Sequence, residues 1–255
     1  MVLHKGGVTP PARVPSIVGA DVYLIAGQSN ACGQASRYSI CPSAGLFGND
    51  YRYKQLRDPI DSIVGQVDAV NKETAIQYGS VWPLFAEALA ASSGHVVYFV
   101  PCALGGSGIA DWQPGADHQN RATLYGSLVY RALQVQAAGG TLKVVLFWGG
   151  EHDVSLGTSQ ATYNSGLDTF ANTINSDLGI RVMPCKLQNC TGLSAPNQVT
   201  INAAITEAWG NNANVLTGPD LSGIATDDAS HLIGDAKNDS AAALWLAAIE
   251  TAFGW

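Results

Sequence analysis

A short apolar run stopped by glycine, Asp21-Val22-Tyr23-Leu24-Ile25-Ala26-Gly27, limits the chain more than any other feature. Five of its first six residues are apolar, too few for a helix and without the alternation of a half-exposed strand. It therefore reads as a strand buried on both sides, ending in the sharp bend that Gly27 allows. Three further runs have the same character. His95 to Ala103 leads into Gly105-Gly106-Ser107-Gly108, Thr141 to Trp148 leads into Gly149-Gly150-Glu151, and Gly179 to Met183 follows later. A fifth, Ala213 to Leu216, is short.

Helical patterns lie between and after these runs, at 81–91, 121–138, 159–178, 198–209 and 239–253. Strands alternating with helices imply a parallel sheet covered on both faces, hence an α/β three-layer αβα sandwich of flavodoxin-like order. Residues 1–20 read as a leader or linker remnant and 21–255 as a single domain. The segment 32–79 shows no sustained period and is expected to be a long loop, a wall or lid beside Ser29. The start of the chain suggests a cut from a larger multidomain or phage-tail protein.

The formal net charge of -7 and the lack of a basic run argue against a nucleic-acid partner. No apolar stretch approaches the roughly 18 to 20 residues that span a bilayer, so no membrane partner is expected. Five cysteines are present, and the pairs Cys32/Cys41 and Cys185/Cys190 lie close enough in sequence to suggest two local bridges in an exported, extracellular or surface-associated protein.

In an open parallel sheet, ligands bind beyond the carboxyl ends of the strands. Ser29 follows the first strand, Gly105 and Gly106 the second, Gly149, Gly150 and Glu151 the third, and Asp228 and His231 the last. All fall at one edge. Ser29 could instead cap the next helix, and Asp228 to His231 could be a helix cap with a surface histidine. Read together, Ser29 supplies a hydroxyl nucleophile, His231 the base that activates it, and Asp228 the partner that orients the ring. Gly106, Gly105 and the N–H of Ser29 are candidate oxyanion donors. Glu151, His152 and Asp153 follow no familiar metal-ligand spacing, and His95 and His118 read as surface or strand-end residues. Trp112 is placed either in the core or along a sugar-binding cleft.

Four blocks in this order, Gly27-Gln28-Ser29-Asn30, Gly105-Gly106-Ser107 with Trp112, Gly150-Glu151-His152-Asp153 and Asp228-Ala229-Ser230-His231, resemble the SGNH hydrolases. More narrowly they are similar to the sialate O-acetylesterase and acetylxylan esterase branch. The resemblance implies a three-layer fold, no cofactor and no metal, and removal of acetyl groups from an acetylated carbohydrate. Carried over by position, Ser29, His231 and Asp228 are catalytic, Gly106 with Gly105 as alternative serves the oxyanion hole, and Gln28, Asn30, Trp112 and Glu151 line or support the substrate site. The branch commonly has a Gln two residues before that Glu, where this chain has Gly149, leaving only a backbone donor there. Two alternatives stay open. One is a broader lipase or thioesterase of the superfamily. The other is a carbohydrate-binding domain that lost catalysis, with Tyr51, Tyr53 and Trp82 as sugar-facing aromatics.

Overall fold

The computed structural model describes residues 14–48, 51–60 and 78–255. A six-stranded sheet forms its centre: β1 (Asp21–Gly27), β2 (Ile40–Phe47), β3 (Tyr53–Arg57), β4 (Val97–Pro101), β5 (Thr141–Trp148) and β6 (Arg181–Pro184). Its spatial order is β3-β2-β4-β1-β5-β6. All neighbours are parallel except β2 and β3. The run β4-β1-β5-β6 has the flavodoxin-like order, so β1 lies at the centre with a crossover departing on each side. The α/β sandwich expected from the sequence is the fold observed.

Strand residues alternate between the two faces. Val22, Leu24, Ala26, Val145 and Phe147 join one apolar core. The helices α3 (Leu124–Ala137), α5 (Gln160–Leu178) and α6 (Ala195–Asn211) cover it. Tyr23, Ile25, Phe99, Val144, Leu146 and Trp148 join a second core. It is closed by α2 (Trp82–Ser93) and α7 (Asp235–Phe253). Burial on both faces is why these strands read as continuous apolar runs.

Several expectations need correction. The segment 32–79 is not one long loop: β2 and β3 lie within it, while residues 49–50 and 61–77 of that expected lid fall outside the described residues. Pro42 and Gly45 hide the strand, yet Gly45 is required because the ring of Tyr98 occupies the place of a side chain, 2.1 Å from an added Cβ. Residues 213–216 do not form a strand of the sheet; only an isolated bridge, Val182 to Val215, remains. Residues 14–20 run along the domain, with Gly19 N–H donating to Gly139 O at 2.9 Å. Residues 1–13 of the expected leader lie outside the described residues.

Among the described residues neither local disulfide forms, and all five cysteines are buried thiols. Between Cys185 and Cys190 the chain runs extended, bridging Lys186 to Asp220 and Asn189 to Ala225. Cys41 faces Ser43 within β2, its Sγ 3.4 Å from the hydroxyl.

Candidate active site

Gly27 determines how Ser29 leaves the sheet. Its φ is +114°, and a Cβ there would come within 1.9 Å of Trp148 O. Only glycine permits that approach, and the next amide, Gln28 N–H, then bonds Trp148 O at 2.9 Å. Ser29 opens the four-residue helix α1 (Ser29–Cys32). It is thus the first helical residue and not a cap. The first amides of a helix have no intrahelical acceptor, and the N–H of Ser29 is one of them.

His231 comes from the irregular segment 226–234, which precedes α7. Its Nε2 lies 2.9 Å from Ser29 Oγ, and its Nδ1 lies 2.8 Å from Asp228 Oδ2. Asp228 Oδ1 accepts from Ser230 N–H at 2.8 Å and from His231 N–H at 2.7 Å. Burial alone would push the Asp228 carboxyl up, but the His231 ring and these two amides outweigh it and hold the group below the usual carboxylate range. An ionised Asp228 accepting from Nδ1–H leaves Nε2 as the acceptor facing the serine hydroxyl. The three residues form one continuous hydrogen-bonded chain.

These side chains open into a cleft of about 320 Å³, lined by Gln28, Ser29, Gln34, Gly106, Glu151, His152, Ser155, Leu193, Ser230 and His231. Gly106 has a φ of +72°, and an added Cβ would meet nothing within 4 Å. The bend Leu104–Ser107 therefore presents backbone to open space. Gln28 is nearly buried, and its Oε1 accepts from His152 N–H at 3.1 Å, so it also ties α1 to the segment after β5.

Glu151 begins α4 (Glu151–Leu156) and is only 2 % exposed. Its Oε1 accepts from Asn30 Nδ2 at 2.8 Å and from Gln188 Nε2 at 2.9 Å. Burial pushes its carboxyl up, opposed by those two amides.

Four expected site residues lie elsewhere. Trp112 is fully buried against Phe147 and Phe170, and its Nε1 donates to Ser107 Oγ at 3.2 Å. It supports the Gly106 bend from inside the core and lines no cleft. Asn30 is buried too, and both ends of its amide serve the protein. Gly149 is buried away from the cleft. Its Cβ direction runs into Gly27 and the Phe147 ring at 3.3 Å, and its carbonyl accepts from Tyr163 OH at 2.9 Å. Gly105 does not line the cleft either; Gly106 does. Trp82 is core, and Tyr51 and Tyr53 pack around Phe47.

Gln34, His152, Ser155 and Leu193 line the cleft without having been singled out for binding. Gln34 was legible only as a polar residue after Gly33, five positions beyond Ser29. Among the described residues no group of three or more His, Cys, Asp or Glu is arranged to hold a metal ion.

A family profile described as carbohydrate esterase, sialic acid-specific acetylesterase, matches residues 19–249. A protein of Arabidopsis thaliana described as a probable carbohydrate esterase is 24% identical over 209 residues, covering 71% of this chain and 75% of its own. The solved structure of that Arabidopsis protein superposes with a TM-score of 0.74 at 19% identity, covering 92% of this chain and 99% of the other. NanS superposes at a TM-score of 0.66 and 15% identity over 94% of this chain and 99% of its own. A carbohydrate acetylesterase from Xanthomonas citri gives 0.62 at 18% identity over 92% of this chain and 57% of its own. At these identities the structural likeness speaks for the fold.

Proposed function

Because the chain belongs to the sialic acid-specific acetylesterase family of carbohydrate esterases, we propose that it removes O-acetyl groups from an acetylated carbohydrate by serine catalysis at Ser29. The observation that carries the mechanism is the chain of contacts Ser29 Oγ to His231 Nε2 at 2.9 Å and His231 Nδ1 to Asp228 Oδ2 at 2.8 Å, at the wall of one cleft.

In this reading Ser29 Oγ attacks the acetyl carbonyl while His231 Nε2 takes the hydroxyl proton. Asp228 holds Nδ1–H, which keeps the ring in the accepting tautomer and stabilises the imidazolium that forms. The oxyanion is met by the N–H groups of Ser29 and Gly106, worth roughly 3 to 4 kcal/mol each when well placed. Gln34, which lines the same cleft, is the candidate for the side-chain amide that Gly149 cannot supply. Collapse expels the sugar hydroxyl, which takes the proton back from His231. Water, deprotonated by the same Nε2, then attacks the acetyl-enzyme and releases acetate.

The lining favours a small acyl group. Leu193 is the apolar side chain among Gln28, Gln34, His152 and Ser155, which is a poor wall for a long hydrocarbon tail and a good one for sugar hydroxyls.

Hydrolysis of p-nitrophenyl acetate by wild type, Ser29→Ala and His231→Ala tests the reading. Each variant should lose activity on the order of 10⁴-fold or more in kcat. Turnover unchanged in Ser29→Ala would overturn it. Octanoate preferred over acetate would turn the reading toward a lipase.

A further inference from the structure

We infer that Gln188, acting with Asn30, positions His231 by clamping the peptide unit that precedes it; this rests on the reading of Ser29 and His231 as the catalytic pair. Gln188 follows β6 and is fully buried, yet it belongs neither to the strand that carries Ser29 nor to the segment that carries His231.

The orientation of its amide is determined. Trp148 Nε1–H can only donate, and it donates to Gln188 Oε1 at 3.0 Å. Nε2 must therefore face the opposite way, where it donates to Glu151 Oε1 at 2.9 Å and to Ser230 O at 2.8 Å. Asn30 is fixed by the same logic. Its Oδ1 accepts from Leu232 N–H at 3.2 Å, and its Nδ2 donates to the same two oxygens, at 2.8 Å to Glu151 and 2.9 Å to Ser230. Four N–H bonds thus converge on one carboxylate oxygen and one carbonyl.

That carbonyl belongs to the peptide joining Ser230 to His231. The N–H of the same peptide is held by Asp228 Oδ1 at 2.7 Å. One planar unit is gripped at both ends, from the core by two amides and from the solvent side by a carboxylate. The plane sets the direction in which the His231 side chain leaves the backbone. The segment 226–234 has no helix or strand of its own to do this. Glu151 gives each amide a second acceptor, so neither can rotate away from Ser230 without leaving a buried N–H unpaired.

The test is steady-state kinetics on p-nitrophenyl acetate for Gln188→Met, similar in length without donors, and Gln188→Glu, with Ser29→Ala assayed alongside. Gln188→Met should lower kcat by roughly 10- to 100-fold with KM within about twofold, the size expected when a base drifts from its attack geometry. Phosphonylation of Ser29 by a small neutral organophosphonate, which needs His231 and no sugar subsite, should slow in proportion. Gln188→Glu offers no donor when ionised. As pH falls, the new carboxyl takes up a proton and gains one O–H to offer Ser230 O, so its kcat relative to wild type at the same pH should rise.

Wild-type kcat and phosphonylation in folded Gln188→Met, beside an inactive Ser29→Ala, would overturn the positioning role alone. Activity retained in Ser29→Ala would overturn the catalytic reading beneath it. If Gln188→Met fails to fold, Gln188→Glu decides: wild-type kcat, or a ratio to wild type that ignores pH, rejects the inference.

Discussion

Ser29 and His231 lie 2.9 Å apart, but the segments that bring them there are built on different principles. Ser29 leaves the centre of the sheet. β1 is buried throughout and flanked by β4 and β5, and its end is tied by Cys102 N–H to Ile25 O at 2.7 Å and Leu104 N–H to Gly27 O at 3.0 Å. Its position follows from backbone sterics inside a packed core. His231 sits in an irregular segment whose shape comes from side chains bonding backbone. Asp227 Oδ2 accepts from Ile233 N–H at 2.7 Å and Gly234 N–H at 2.8 Å, and Thr226 Oγ1 donates to Asp228 O at 2.7 Å. Asp228 itself is 44% exposed. One half is held by shape and the other by hydrogen bonds, so damage to the two should register differently.

The largest contrast comes from Gly27→Ala. The added carbon would lie 1.9 Å from a backbone oxygen in the centre of the sheet, with no flexible side chain to yield. Stability should fall by about 3 kcal/mol or more, and activity with it. Gly106→Ala is the counterpart: the same atom meets nothing within 4 Å, so only the left-handed φ is strained, at about 1 kcal/mol. Urea melts of both variants check this. Equal losses would mean that the close approach at Gly27 is not what holds the strand end.

On the other half, activity and stability should separate. Asp228→Asn keeps an oxygen for the Ser230 and His231 N–H groups but turns a donor toward His231 Nδ1, favouring the wrong tautomer. We expect kcat to fall by about 10² to 10⁴ while the melt moves by less than about 1 kcal/mol. A stability loss as large as that of Gly27→Ala would remove the distinction between the halves.

That distinction also explains what the sequence conveys. The β1 run, Gly27 and Ser29 were legible because close packing of a two-sided strand leaves a local mark: continuous apolar residues stopped by glycine. Asp228 and His231 were legible as a pair because three residues of spacing lets a carboxylate reach a ring. How their segment is held was not, because Gln188 and Asn30 act across distances in sequence that leave no local pattern. Gln188 after a strand reads as any polar surface residue, and only the fold places it beside Trp148 and Ser230. β2 was missed for a related reason. Its strand character comes from pairing with β4 and from the Tyr98 ring over Gly45, against its own Pro and Gly content. Trp112, one of several buried tryptophans, shows that an aromatic near a glycine turn can support the turn from within.

The smallest effect is also the one that compares the halves most directly, through their carboxylates. Glu151 is buried and its pKa is raised from 4.5, whereas Asp228 is exposed and its pKa is lowered from 3.8. For Glu151 the folded state binds the proton more tightly than the unfolded one. Its contribution to stability is present in full below about pH 4.5 and declines as pH rises through the folded value. For Asp228 the sign reverses: its contribution is present above pH 3.8 and is lost as pH falls through the folded value. Urea midpoints at several pH values from 3 to 8 should therefore diverge in opposite directions. Glu151→Gln should gain on wild type as pH rises above 4.5, whatever fixed penalty its buried amide carries. Asp228→Asn should fall behind wild type as pH rises past the lowered folded value of the aspartate, by a smaller amount because solvent screens the exposed group. Parallel curves for wild type and Glu151→Gln would mean that the amides of Asn30 and Gln188 already offset the burial of that charge, and that the core side of the site carries no electrostatic strain.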